Sequence, residues 1–219
     1  MKKLGILLLT FLITLNILSQ SSKKAKIILD DVSIKMGAYD NMVLEFSQTL
    51  INEDAGIKEG DELPIIGSIA LQKEKYNLDY QGNKLIFDGQ KMYVINNDEK
   101  EVTVSDDDMD GDDGFIYPSK LLTFYKEGYT YELGEIKVFN GRKTQFINLY
   151  PMDSESNISK VQLVIEIRTK HIYQLIQIGK NTSKTTFTIT SFKSNQKLSN
   201  KLFSFDPEIY SERNGYIID

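Results

Sequence analysis

Lys160-Val161-Gln162-Leu163-Val164-Ile165-Glu166-Ile167-Arg168 is the stretch whose pattern decides the fold. Val161, Leu163, Ile165 and Ile167 fall on one face of an extended chain, and Gln162, Glu166 and Arg168 on the other. Only Val164 breaks the alternation. Successive side chains of a strand point to opposite faces, so a period of two marks a sheet with one apolar and one wet face. Antiparallel sheets tolerate that asymmetry, whereas parallel sheets are covered on both faces.

The pattern repeats outward in both directions. Toward the C-terminus, residues 172–178 and 184–192 read as strands on either side of a turn at 178–183, with Phe187 and Ile189 inward. Toward the N-terminus, residues 143–149, 136–139 and 130–133 do the same, and 101–104 is a short strand. Residues 85–87 and 92–95 flank Asp88-Gly89, a strong hairpin signal. Residues 69–80 read as one strand, with Tyr76-Asn77-Leu78-Asp79-Tyr80 alternating cleanly, and 43–50 places Leu44, Phe46 and Leu50 on one face.

Two segments have helical spacing instead. In residues 22–38, Ala25, Ile28, Leu29, Val32 and Met36 share a face, Ser22 is placed to cap the start and Gly37 to end it. In residues 118–126, Leu121, Leu122 and Tyr125 share a face, with Pro118 suited to the start and Gly128 to the stop. An acidic loop, 105–114, precedes the second helix. No repeat, linker or shift in composition divides the chain. The expectation is one domain, mainly β, with an antiparallel sheet of about ten or eleven strands and two or three helices on one face. A sheet that long twists and curls, so its concave face needs cover, and the helices are the segments available to supply it.

Composition removes several classes of function. The chain has 219 residues, Cys 0, His 1 and Trp 0, with Lys+Arg 26 against Asp+Glu 31 and a net charge of −5. Without cysteine there is no disulfide scaffold, thiolate zinc site, cysteine nucleophile or lipid anchor on an N-terminal cysteine. One histidine rules out a multi-histidine metal site. The acidic balance argues against a nucleic-acid surface, which needs clustered Lys and Arg.

The first twenty residues read as an address. Met1-Lys2-Lys3 is basic, residues 4–18 are apolar apart from Gly5, Thr10, Thr14 and Asn16, and Ser19-Gln20-Ser21-Ser22 is small and polar. That is the form of a secretory signal peptide cut near Ser19, leaving 21–219 as a single domain. Fifteen residues are short for a hydrocarbon core that needs about 20 helical residues. Loss of Lys2 and Lys3 would take the formal charge from −5 to −7.

The order of these motifs resembles the LolA family of outer-membrane lipoprotein carriers. The resemblance is colinear and runs from about residue 24 to 219. It comprises Ile28-Leu29-Asp30-Asp31-Val32-Ser33, Phe46-Ser47-Gln48, Gly67, Tyr76-Asn77-Leu78 and Asp88-Gly89-Gln90-Lys91-Met92-Tyr93. It continues through Glu101-Val102-Thr103, Pro118-Ser119-Lys120-Leu121-Leu122, Leu149-Tyr150-Pro151, Thr185-Thr186-Phe187-Thr188-Ile189 and Phe203-Ser204-Phe205-Asp206.

The resemblance implies an incomplete antiparallel β-barrel closed by a helical lid over an apolar cavity. It further implies a monomeric carrier in the periplasm of a Gram-negative bacterium, with no cofactor and no catalytic residue. The carrier would bind lipoprotein acyl chains, receive them from an inner-membrane ABC transporter of the LolCDE type and deliver them to an acceptor of the LolB type. On this reading the cavity wall comprises Leu44, Phe46, Ile69, Leu71, Tyr76, Leu78, Val161, Leu163, Ile165, Phe187 and Ile189. The lid carries Leu29, Val32, Leu121 and Leu122, and Met36 and Met92 offer adaptable filling. One departure stands out. Better-known members carry an Arg-Pro pair just before the position of Tyr76, where this chain has Gln72-Lys73-Glu74-Lys75. Lys73 is the nearest cation to take the gating role, without the planar fork of arginine. The same wall would also suit another amphiphile, such as a glycolipid or a lipid-linked pigment. A structural or sensor module of the same fold would fill it with its own side chains.

Other chemistry is sparse. Asp106-x-Asp108-x-Asp110-Gly111 matches the first half of an EF-hand loop, but Tyr117 stands where a bidentate Glu is needed, so no metal site is expected. His171, at an expected hairpin turn, has no evident nucleophile or orienting acid beside it and reads as an exposed turn residue.

Overall fold

A computed structural model of the chain describes residues 2–106 and 124–219, with side chains in the first helix described from Gln20 onward. Helix α1 spans Lys2–Gly37. Twelve strands follow: β1 Met42–Ile51, β2 Ile65–Gln72, β3 Lys75–Tyr80, β4 Asn83–Phe87, β5 Met92–Asn96, β6 Glu101–Ser105, β7 Tyr129–Phe139, β8 Arg142–Pro151, β9 Ile158–Glu166, β10 His171–Gly179, β11 Lys184–Ser194 and β12 Ile217–Ile218.

All twelve strands form one curved, unclosed sheet in the order β12-β6-β5-β4-β3-β2-β1-β11-β10-β9-β8-β7. Every neighbouring pair is antiparallel except β12 beside β6. Two meanders, β2–β6 and β7–β11, run away from β1 on opposite sides, and β1 joins them by pairing with both β2 and β11.

Register carries the apolar faces into continuous rows, because directly opposed residues share a face. One row runs Leu133, Ile147, Leu163, Leu175, Phe187 across five strands. Another runs Phe192, Leu44, Ile69, Leu78, Leu85, Val94 across six. Both belong to the cluster that α1 packs against, which makes this the concave face. From α1 it takes Ala25, Leu29, Val32 and Met36, all fully buried and spaced along one stripe. Full burial of each large apolar side chain is worth roughly 1.5–3 kcal/mol.

The convex face holds two smaller clusters. Phe146, Val164 and Ile176 group beneath Phe139 and Tyr173. Ile86, Ile95 and Val102 group beneath the C-terminal strap, which crosses the sheet after β11. Asn77 Nδ2 donates to the Leu202 carbonyl at 2.6 Å, Phe203 is buried, and the Phe205 ring stacks on Tyr93 with centroids 4.6 Å apart. The strap ends by pairing β12 with β6, so the edge of β6 is covered.

Several sequence expectations need correction. The stretch 69–80 is not one strand, because β2 and β3 form a hairpin closed at Gln72↔Lys75. Lys73 takes the turn's positive φ of 56°, a place where glycine or asparagine would have signalled the turn. Residues 130–133 and 136–139 are one strand, β7, interrupted by a bulge between Leu133 and Ile136. Ile167 leaves the inner face, since β9 ends at Glu166 and Ile167 is exposed in the following turn. Twelve strands replace the expected ten or eleven. Among the described residues one α-helix stands in place of two or three, and it begins at Lys2 rather than Ser22. Of the second expected helix only Phe124–Lys126, a single 3-10 turn, lies within the described residues.

Candidate functional site

The concave face divides into a sealed part and a partly open part. Tyr76, Met92, Ile147, Leu149, Val161 and Leu163 have no exposed surface. Toward β1, β4, β5 and β11 the cluster continues through Phe46, Tyr80, Leu85, Phe87, Val94 and Phe187, all only partly buried. Aromatic rings dominate this second part. Phe46 lies 5.9 Å from Tyr80 and 6.0 Å from Phe187, and Phe87 lies 5.8 Å from Tyr76, all in tilted contacts.

Gly67, opposite Phe46 on β2, is what lets the Phe46 ring lie down on the sheet. A Cβ at Gly67 would overlap that ring. One polar group interrupts the wall. Gln48 faces Phe187 across the β1–β11 ladder, and its side-chain carbonyl oxygen is buried with no hydrogen-bond partner among the described residues. Such an unmet acceptor is uncommon, because leaving a buried polar group unpaired costs about 1–3 kcal/mol.

All eleven residues expected in the wall lie in or against this single cluster, together with Leu29 and Val32 of the lid. Leu121 and Leu122 lie outside the described residues, as does the acidic loop beyond Asp106. Sequence reasoning did not select Ile147, Leu149, Ile172, Leu175, Leu85 and Phe87, which belong to the same cluster. On β8 the reason is visible: Gln145, Phe146 and Ile147 are buried in succession, so alternation gives no parity there. For β4 the signal was present, since Leu85 and Phe87 alternate with the convex Ile86.

Lys73 is exposed at the β2–β3 turn, beside a surface cleft shared with Asp88 and Asn200. Among the described residues, α1 is tied down by other side chains. Tyr125 donates its hydroxyl to the Leu29 carbonyl at 2.9 Å, and burial pushes that hydroxyl above the ordinary phenol range, so it stays a donor. Leu133 N–H donates to Ser21 Oγ at 3.0 Å, and Lys170 pairs with Asp31 at 2.8 Å.

His171 corrects the sequence reading most. It is half-buried, its Nε2 lies 2.9 Å from Tyr39 Oη in a hydrogen bond, and its ring stacks on Phe192 at 4.0 Å. Burial first, then the charge of Lys35, lowers its pKa, against a smaller opposing pull from Glu166. The contact joins the segment after α1 to β10 and β11. Among the described residues no group of three or more His, Cys, Asp or Glu is arranged to hold a metal ion.

These features define an open antiparallel half-barrel with a helix packed on its concave face and an aromatic wall left partly uncovered. A family model described as outer membrane lipoprotein carrier protein LolA matches residues 40–206, and the chain belongs to that family. It is 27% identical over 178 residues to the outer-membrane lipoprotein carrier protein of Legionella pneumophila (strain Lens), covering 79% of this chain and 82% of that one. In fold it is similar to an uncharacterized conserved protein from Thermus thermophilus, with a TM-score of 0.58 at 8% identity over 84% of this chain and 94% of that one. A looser superposition relates it to a LolA superfamily protein from Nitrosomonas europaea, with a TM-score of 0.41 at 10% identity over 83% and 97% of the two chains. Among the residues whose side chains are described, from Gln20 onward in α1, no helix is long and apolar enough to cross a membrane.

Proposed function

We propose that the protein carries lipoprotein acyl chains through the periplasm of a Gram-negative bacterium, sheltering them on the partly open half of its concave face. The observation that supports this most is the continuity of that half with the sealed core: Phe46, Phe87 and Phe187 extend the buried rows outward and are themselves only partly buried. An acyl chain gains about 0.8 kcal/mol per buried CH₂, so complete burial of sixteen carbons would be worth on the order of 13 kcal/mol. A carrier that captured all of it could not release its cargo. A wall of half-buried rings captures only a part, and can close on itself when empty.

On this reading the cargo comes from an inner-membrane ABC transporter of the LolCDE type and passes to an outer-membrane acceptor of the LolB type. A signal peptide is removed near Ser19 to leave 21–219. The bond from Leu133 N–H to Ser21 fits a mature chain that begins with its helix already docked.

Native mass spectrometry of the protein purified from the periplasm, followed by lipid extraction, tests the proposal. A co-purified triacylated lipoprotein supports it. A free glycolipid or phospholipid would move the assignment to another amphiphile. Phe187→Glu, at a half-buried site, should keep the fold and lose the cargo. Retention of cargo by that variant would place the chain elsewhere.

A further inference from the structure

β10 and β11 pair only from Gln174↔Thr188 to Ile178↔Lys184. Beyond that rung they part. Residues 171–173 stay with β9, and residues 189–194 stay with β1. Each strand carries a bulge where they separate. The β9 register skips Tyr173 between Ile172↔Ile165 and Gln174↔Val164, and the β1 register skips Thr190 between Phe46↔Ile189 and Glu45↔Ser191. Bulges bend a strand out of its ladder, and the two strands diverge here, with the His171 ring stacked on Phe192 at 4.0 Å across the inner end of the gap. A cleft of about 660 Å³ occupies this place, within the usual size of small-ligand sites.

Both faces of the sheet line the slot. Ile172, Ile189 and Phe192 belong to the concave cluster, while Tyr173 belongs to the convex one. The convex rim is cationic. Arg142 and Arg168 each reach the buried Glu166 carboxylate, at 3.3 and 3.5 Å, and Lys143 stands beside them. Three cations against one carboxylate make a local excess of positive charge in a chain whose net charge is −5. Arg142 is half exposed and Arg168 largely so. With five N–H donors on each guanidinium, donors remain for a second anion. Arg142 is steadied over the Tyr173 ring at 5.3 Å.

We propose that this slot binds an anionic amphiphile, its carboxylate or phosphate on Arg142, Lys143 and Arg168, and its acyl chain entering between β10 and β11 against the His171–Phe192 stack, which turns aside to admit it to Ile172 and Ile189. This rests on the acyl-chain reading above and adds to it a headgroup class and a route through the sheet.

The chain has no tryptophan, so a single introduced one reports alone. Phe192→Trp places it at the inner lip of the slot, and Tyr80→Trp places it across the concave face. Each is titrated with dibromostearate, whose bromines quench tryptophan on contact. Quenching of Phe192→Trp is the expected result, reversed by stearate or by palmitoyl lysophosphatidylglycerol. The stronger competitor identifies carboxylate or phosphate as the headgroup. Methyl stearate should compete at least tenfold more weakly. The triple variant Arg142→Gln/Glu166→Gln/Arg168→Gln, made on Phe192→Trp and leaving no unpaired buried charge, should erase that preference. Should the triple variant not fold, raising the salt concentration on Phe192→Trp gives the same reading, because screening weakens an exposed anion site and leaves methyl stearate unaffected.

Quenching of Tyr80→Trp alone overturns the slot while leaving the acyl-chain reading standing. No quenching of either overturns both. Equal competition by stearate and its methyl ester overturns the headgroup assignment.

Discussion

At Gly67 the Phe46 ring lies where a Cβ would go, so a larger residue is admitted only if that half-buried ring shifts. Gly67→Ala should therefore push Phe46 off the wall and cost about 1–3 kcal/mol, the usual range for overpacking, read as a lower urea midpoint with an unchanged slope. At His171 the burden is electrostatic. Its pKa lies below the ordinary value of 6.5, so below that pH the unfolded chain takes up a proton before the folded one does. Its contribution is complete above pH 6.5 and is lost as the pH falls toward the folded-state value. Urea midpoints of the wild type should decline from pH 7.5 to 5.5, and His171→Gln should lack that part of the decline. Parallel profiles would show that the contact with Tyr39 and Phe192 does not depend on the neutral ring. Neither residue announced this role in sequence. Gly67 could be read as the start of a strand, but the ring above it comes from β1, and His171 looked like a turn residue because its partners lie 132 positions earlier and 21 positions later in the chain.

For the elements, α1 and the hairpins show what local pattern can and cannot reveal. The stripe Ala25, Leu29, Val32, Met36 was legible because helical period and burial coincide, and Gly37 closes the helix as expected. What fastens α1 was not legible. The Tyr125 hydroxyl on the Leu29 carbonyl bridges 96 positions. Tyr125→Phe should lower stability by about 1 kcal/mol, the net worth of one such hydrogen bond. If this tie holds the lid, the same variant should bind acyl probes faster, measured by stopped-flow fluorescence. Unchanged rates would assign Tyr125 to stability alone. The β2–β3 hairpin escaped notice for the opposite reason. Its turn uses Lys73 at positive φ, with no residue in Lys73-Glu74 that signals a turn, so tertiary pairing of Ile69 with Leu78 overrides local preference.

Over the whole molecule, the strap after β11 closes what the sheet leaves open. Residues 207–219 lie beyond the span matched by the family model, yet they carry Tyr210, Tyr216 and β12, which cover Ile95, Val102 and the edge of β6. Truncation after Asp206 should expose that edge and make the protein self-associate, seen by size-exclusion chromatography with light scattering. A truncated chain with the elution and mass of the full-length protein would show the strap to be dispensable. The sequence by itself determined which residues are apolar on which face, because strand alternation and the helical stripe are local properties. That was enough to collect Leu44, Leu78, Val161, Leu163 and Phe187 in one apolar cluster. Only the tertiary structure decided that β1 lies between β2 and β11, that α1 packs onto one part of the wall, and that β10 and β11 part beside a cationic cleft. Those features depend on pairings such as Phe46↔Ile189 and Leu175↔Phe187 and on where each ladder stops. Contacts between distant segments leave no periodic trace in either one.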